Sequence, residues 1–265
     1  MLKSLARRLV CFIIFFSGAA GHVAAYTIAG ELGQAPASDV LNGAVSDEPT
    51  ILFATSTANA EPLAELHGNQ LTGGILKELG DAIGAKLHRK VIYVALPRKR
   101  LESELEKGKV DAVCYYRPEW LPMKLNWSAP VIPNEILLVI RHGVPTPNKL
   151  QDIEGKSIGT VLGYKYPELA ELHTHYQRED APTMLSNIKK LAAGRFDYAV
   201  IDRLSLDYYK KTSRDLDAAS TLPITKINAS CGFSLASKIP IEQINLAMHE
   251  LIDEGAIERI LAGYR

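Results

Sequence analysis

A phrase that occurs twice constrains this chain more than any other feature. Residues 108–113 read Gly-Lys-Val-Asp-Ala-Val and residues 194–200 read Gly-Arg-Phe-Asp-Tyr-Ala-Val, which sets Asp111 and Asp197 86 positions apart. A helical pattern precedes each copy, with Leu101 and Leu105 before the first and Leu185, Ile188 and Leu191 before the second. Each helix is expected to stop at its glycine, because glycine takes a positive φ at least cost. An apolar strand follows each. Helix, glycine, basic residue, apolar residue, aspartate, strand, written twice, predicts two similar α/β lobes. Two lobes leave a cleft between them, and clefts take ligands.

The first 25 residues read as an export signal. Lys3, Arg7 and Arg8 form a basic start, Leu9 to Phe16 an apolar run, and Val23-Ala24-Ala25 a small-residue cleavage site, with the cut expected after Ala25. An uncleaved membrane anchor is the competing reading, disfavoured by the shortness of the run. Residues 26–49, rich in Gly, Ala, Ser, Asp and Pro, are expected to form a flexible leader. The mature chain is expected in the periplasm. Without the signal, 27 Lys and Arg stand against 30 Asp and Glu, a formal charge of −3. That is not the footprint of a nucleic-acid binder. Two cysteines remain, Cys114 and Cys231. An oxidising compartment permits them one disulfide. Two buried thiols in apolar strands is the reading favoured from sequence, since spacing supplies no geometry.

Periodicity places the elements. Strands are expected at 51–54, 90–96, 110–115, 136–140, 157–161, 198–201 and 231–236. Helices are expected after Gly73-Gly74, after Pro97, at 166–176, 184–193 and 205–211, and over the C-terminal stretch, broken at Gly255. Spacing of i,i+4 pairs Arg98 with Glu102 and Arg100 with Glu104. Strands alternating with helices argue for mostly parallel sheets with crossover connections.

Five segments, in order, resemble the bacterial extracellular solute-binding protein family 3, the polar amino-acid type. They are Leu71 to Ile83, Leu105 to Asp111, Trp127-Ser-Ala-Pro130, Leu150 to Gly159, and Ala193 to Asp202. The resemblance implies a type II periplasmic binding protein fold, α/β, with two mostly parallel sheets joined by a two-strand hinge. It places lobe one at 50–132 plus 232–265 and lobe two at 136–228. It implies a monomer that captures a small polar ligand, an amino acid or related organic acid, for a membrane transporter permease of the ABC type. It implies no cofactor and no nucleic-acid partner.

In open α/β sheets, ligands sit beyond the carboxyl ends of strands. That rule selects Ser56, Tyr115, Tyr116, Arg117, Gly163, Tyr164 and Asp202, and Trp120 adds an aromatic surface. The resemblance assigns Asp202 to a ligand ammonium; helix capping onto Ser205 is the competing role. The family's Thr-x-x-x-Arg carboxylate receptor is missing between Asp111 and Trp127, and Arg117 is the nearest substitute. Asp111 and Asp197 precede their strands and are read as structural. His173-Thr-His175 sits at i,i+2, on different helix faces, so no metal site is expected. No catalytic residue is assigned. Two other readings stand beside the binding protein. One is a dehydratase-like enzyme on the same fold, using Asp202, Glu119 or Glu61 as acid or base. The other is a stand-alone sensor module that contacts a membrane receptor.

Overall fold

The computed structural model describes residues 49–167, 169 and 175–264. The expected export signal, the leader up to residue 48, His173 and much of the expected helix at 166–176 lie outside the described residues. Among the described residues no helix is long and apolar enough to cross a membrane.

The first half opens with β1 (Thr50–Ser56), followed by a small hairpin of β2 (Glu65–His67) and β3 (Gln70–Gly73). These hairpin strands are three and four residues long, too short to show a period in the sequence. Helix α1 (Ile75–Lys86) buries Ile75, Leu76, Leu79 and Ile83, the face its spacing predicts. Then come β4 (Lys90–Leu96), α2 (Arg98–Glu106), with Pro97 at its entry, and β5 (Ala112–Tyr116). A short 3-10 turn at Pro118–Trp120 leads through β6 (Leu125–Trp127) to β7 (Ile132–Ile140).

The second half contains β8 (Ser157–Val161), β9 (Gln177–Ala181), α3 (Met184–Ala192), β10 (Tyr198–Asp202) and α4 (Arg203–Thr212). Strand β11 (Ser220–Ser234) then returns to the first half, where α5 (Ile241–Asp253) and α6 (Ala256–Ala262) close the chain. Gly255 breaks the last two helices at φ 62°.

Hydrogen bonds join these strands in one path, β4-β1-β5-β11-β7-β10-β8-β9, with β6 also on β11. The expected two sheets are therefore a single curled, mixed one. β4, β1 and β5 run parallel at one end, and β10, β8 and β9 run parallel at the other. Antiparallel β11 and β7 lie between them. At 15 residues, β11 is long enough to pair with β7 through its first part and with β5 and β6 through its last. Register shifts between Pro223 and Thr225 and between Ser230 and Cys231 mark irregularities along it. Such irregularities let a long strand bend.

The core forms around this sheet in separate clusters. Phe53, Leu76, Leu79, Phe233 and Leu251 pack α1, α5 and α6 against the first half. Leu137, Val139, Ile188, Leu191 and Ile201 pack α3 against the second. Gly108 and Gly194, the glycines of the repeated phrase, have φ of 68° and 69°. The repeated aspartates brace strand starts. Asp111 accepts from the Leu52 amide at 2.9 Å and the Ser237 hydroxyl at 2.6 Å. Asp197 accepts from Arg141 Nη2 at 2.7 Å and Nε at 3.1 Å.

Two sequence expectations change here. Cys114 and Cys231 are joined as a disulfide rather than kept as thiols, because β5 and β11 are antiparallel neighbours that set the two residues opposite one another. Glu104, expected to meet Arg100, has Lys109 3.8 Å away. The expected Arg98–Glu102 pair is present at 2.8 Å.

Candidate functional site

Five strands end around one cavity. Asn59 follows β1, Arg98 follows β4, Tyr115 and Tyr116 end β5, Tyr164 to Tyr166 follow β8, and Asp202 ends β10; all line it. Trp120 from the 3-10 turn, Ile136 from β7, Met184 from α3 and Val200 from β10 complete the wall. The cavity measures about 50 Å³ and its lining is predominantly apolar. Convergence of strand ends is what the carboxyl-end rule expects.

Of the residues singled out from sequence, Tyr115, Tyr116, Trp120, Tyr164 and Asp202 meet in this cavity. Ser56, Arg117 and Gly163 do not line it. Ser56 is fully buried, and its hydroxyl accepts from the Ala58 amide at 3.1 Å. Arg117 pairs with Glu119 and lies 5.6 Å from the centre of the Trp120 ring. Gly163 sits at φ 79°, where an added Cβ would come within 3.4 Å of Arg98 Cβ. That contact marks a close approach between the two ends of the sheet.

Asp202 is both cavity wall and helix cap. It is 4% exposed, and its oxygens accept from the Ser205 amide at 3.0 Å and the Ser205 hydroxyl at 2.7 Å. Asn134 Nδ2 donates to it at 2.9 Å and also lies 2.6 Å from the Tyr115 hydroxyl, which accepts. Asn134 thus links the two ends of the site. Its own carbonyl oxygen accepts from the Leu204 and Glu135 amides, which fixes the side chain.

Tyr115 reaches the cavity through a local distortion. Cys114 pairs with Cys231 and Tyr116 with Ser230, which leaves Tyr115 as the extra residue of a bulge. Its φ is 65°, a left-handed value that an L-residue with a Cβ adopts at a cost of about 1–2 kcal/mol. Bulges of this kind re-aim a side chain beside a site.

Arg98 is the residue that sequence reasoning missed most. The i,i+4 spacing marked it only as half of a helix ion pair with Glu102. Instead it is 9% exposed and held on three sides. Nε donates to Glu102 at 2.8 Å, Nη2 donates to the Trp120 carbonyl at 2.5 Å, and the guanidinium lies 4.7 Å from the Tyr116 ring centre. The signal was available: Arg98 stands just beyond the carboxyl end of β4, the strand to which the end rule was not applied. Asn59 and Tyr166 were missed for a different reason: each lies two or three residues past a position that the end rule did select, Ser56 after β1 and Tyr164 after β8. Asn134 had no such signal, because it lies near the start of β7.

Direct bonds cross the cavity between the two halves. The Tyr164 hydroxyl donates to Asn59 Oδ1 at 2.5 Å, and the Met184 amide donates to the Ala58 carbonyl at 3.0 Å. Asn59 is in turn oriented by donating to Thr55 Oγ1 at 2.9 Å.

The tyrosines are held neutral. Burial pushes the Tyr115 hydroxyl well above its ordinary pKa, and the Asp202 carboxylate pushes it further. Burial likewise raises Tyr164 and Tyr166, with Asp202 contributing to each. Unfolded tyrosines ionise near pH 10 while these stay protonated, so the native state then binds more protons and stability falls as pH rises. Each contributes up to about 1.4 kcal/mol per pH unit once the unfolded chain ionises. Denaturation midpoints followed from pH 8 to 11 should therefore drop steeply above pH 10, and a flat profile there would show that these hydroxyls ionise freely in the fold.

A curled mixed sheet with a cavity at its converging strand ends defines the class of type II periplasmic binding proteins. Solved structures agree on the fold. An ancestral arginine-binding protein bound to glutamine superposes with a TM-score of 0.68 at 21% identity, covering 81% of this chain and 97% of that one. Among characterised sequences, PatH of Vibrio harveyi, provisionally named an amino-acid ABC transporter-binding protein, is 25% identical over 194 residues, 71% of this chain and 77% of PatH. YxeM of Bacillus subtilis, provisionally named an amino-acid-binding protein, is 24% identical over 235 residues, 84% of this chain and 87% of YxeM. No family model matches the sequence. In sequence the chain is thus similar to proteins named as amino-acid-binding components of ABC transporters, and in fold to a solved amino-acid-binding protein.

Proposed function

We propose that this protein is a periplasmic solute-binding protein that captures a small polar ligand between two lobes and delivers it to an ABC-type transporter. The observation that carries the reading is the cavity itself, walled by strand ends from both halves and bridged by Tyr164 and Asn59. In this reading lobe one is 50–132 with 232–265, lobe two is 136–228, and β7 and β11 are the strands about which they open and close. Closure of that kind is hinge motion. Ser56, Arg117 and Gly163 remain assigned near the ligand path, behind the residues that line the cavity. The protein works as a monomer exported by its N-terminal segment.

A dehydratase-like activity would need a positioned acid or base. Glu119 is engaged by Arg117, and neither it nor Glu61 lines the cavity; Asp202 does, but caps α4. Binding without turnover is the reading this favours.

The test is a thermal-shift panel on the mature chain, refolded to strip carried-over ligand, against amino acids, organic acids and amines. A ligand at about a hundred times its Kd adds about 2.7 kcal/mol. A stabilising compound that is recovered intact after long incubation supports the proposal; one that is consumed points to an enzyme. Tyr164→Phe should then weaken that compound about 2–10-fold, the worth of one neutral hydrogen bond made on closure. Equal affinity in the variant would mean that the Tyr164–Asn59 contact does not belong to the bound state.

A further inference from the structure

We infer that the cavity selects an organic cation without an α-carboxylate, a decarboxylated amine rather than the corresponding amino acid. The inference rests on the solute-binding reading and specifies its ligand.

The cavity's negative group is placed for a cation. Asp202 is 4% exposed and lines the cavity. A carboxylate has about four acceptor positions, and three donors already reach this one: the Ser205 amide, the Ser205 hydroxyl and Asn134 Nδ2. A position therefore remains for a ligand N–H. Tyr115, Tyr116, Trp120, Tyr164 and Tyr166 stand around the same space. Ring faces attract ammonium groups, and do so more strongly when water is excluded.

A ligand carboxylate finds no matching cation. Arg98 is the buried positive group of the wall, and Glu102 already balances its charge. Its Nε and Nη2 are engaged by Glu102 and the Trp120 carbonyl, and its face lies on Tyr116. A carboxylate would have to compete with Glu102 for it. Arg117, the substitute expected from sequence, pairs with Glu119 and does not line the cavity. Lys165 also lines the cavity but is exposed, so its charge is solvated. Trp120 Nε1 is buried without an acceptor among the described residues. It is a neutral donor, suited to a ligand hydroxyl or carbonyl oxygen. A carboxylate placed against this largely apolar wall, where Arg98 is already paired and Lys165 is exposed to solvent, is costly.

Matched pairs test this, because each differs by one carboxylate: phenethylamine against phenylalanine, putrescine against ornithine, agmatine against arginine. Binding to the refolded mature protein would be measured by calorimetry and thermal shift. At least one amine should bind at least about 10-fold more tightly than its amino acid, the scale of one uncompensated charged contact. Amino acids that bind as well as or better than their amines in every pair would overturn the inference and leave the solute-binding reading standing. Silence from all six compounds would overturn the inference, while the solute-binding reading is decided by the wider panel. Asp202→Asn supplies the second arm, since Asn caps a helix as well as Asp does while removing the charge. It should weaken the amine at least about 10-fold while leaving the ligand-free melting midpoint within a few degrees. Unchanged amine affinity in that variant would overturn the inference.

Discussion

Removing the bond between Cys114 and Cys231 should lower stability by about 2–4 kcal/mol, a fall in melting midpoint of roughly 5–15 °C for a chain of this size. The bond closes a separation of 117 residues, so the unfolded chain without it gains much conformational freedom. It also fastens β5, which carries Tyr115 and Tyr116, to β11, which runs on into the second half of the sheet. Both cysteines are buried, at 1% and 0% exposure, so reductant added to the native protein should act slowly. The clean comparison is the Cys114→Ser/Cys231→Ser double variant against the oxidised parent, by calorimetry. Midpoints within about 2 °C would show that strand pairing alone holds β5 in place and that the bond adds little. Loss of ligand binding in a variant that still folds would locate the effect at Tyr115 and Tyr116.

Arg98→Ala should cost about 2–4 kcal/mol, more than an ordinary surface ion pair. Its two hydrogen bonds go to a carboxylate and a carbonyl in a largely buried setting, and Glu102 is itself only 21% exposed. Truncation leaves both acceptors without their donor and uncovers the Tyr116 ring. Fully buried pairs lose 3–5 kcal/mol when one partner is removed, and the partial exposure of Glu102 places this one lower. Arg98→Lys should recover part of the loss, because an ammonium keeps the charge but cannot donate to both acceptors while lying on a ring. Urea denaturation of the three proteins gives the comparison. An Arg98→Ala variant within about 0.5 kcal/mol of the parent would show that Arg98 contributes no more than an exposed ion pair.

The site was partly legible in the sequence. The rule that ligands sit beyond strand carboxyl ends selected four residues, Tyr115, Tyr116, Tyr164 and Asp202, that the structure gathers into one cavity. It selected Ser56 and Gly163 as well, which the structure leaves out of the cavity lining. A strand end is known from sequence to within a few residues, while a cavity wall is resolved residue by residue. Arg117 illustrates the other limit. It follows β5 as expected, but the 3-10 turn at Pro118–Trp120 brings Glu119 to it and presents Trp120 to the cavity instead. Arg98 shows that one spacing serves two settings. An i,i+4 pair looks the same in sequence on a wet surface and on a helix whose first turn faces a cavity.

By itself the sequence determined the repeated unit, the order of the strands and helices it predicted but not β2, β3, β6 or β9, the helix-stopping glycines at 108 and 194, and the inward faces of the helices. Each of these depends on residues within one turn or a few positions, where spacing and backbone preference decide the outcome. Tertiary structure alone decided that β11 pairs with both halves in one sheet, that Cys114 meets Cys231, that Tyr115 sits in a bulge at φ 65°, and that Asn134 joins Tyr115 to Asp202. These depend on chain segments 19 to 117 residues apart. Contacts at that range are set by which apolar faces pack together and which buried polar groups then find partners, and no local pattern records that choice.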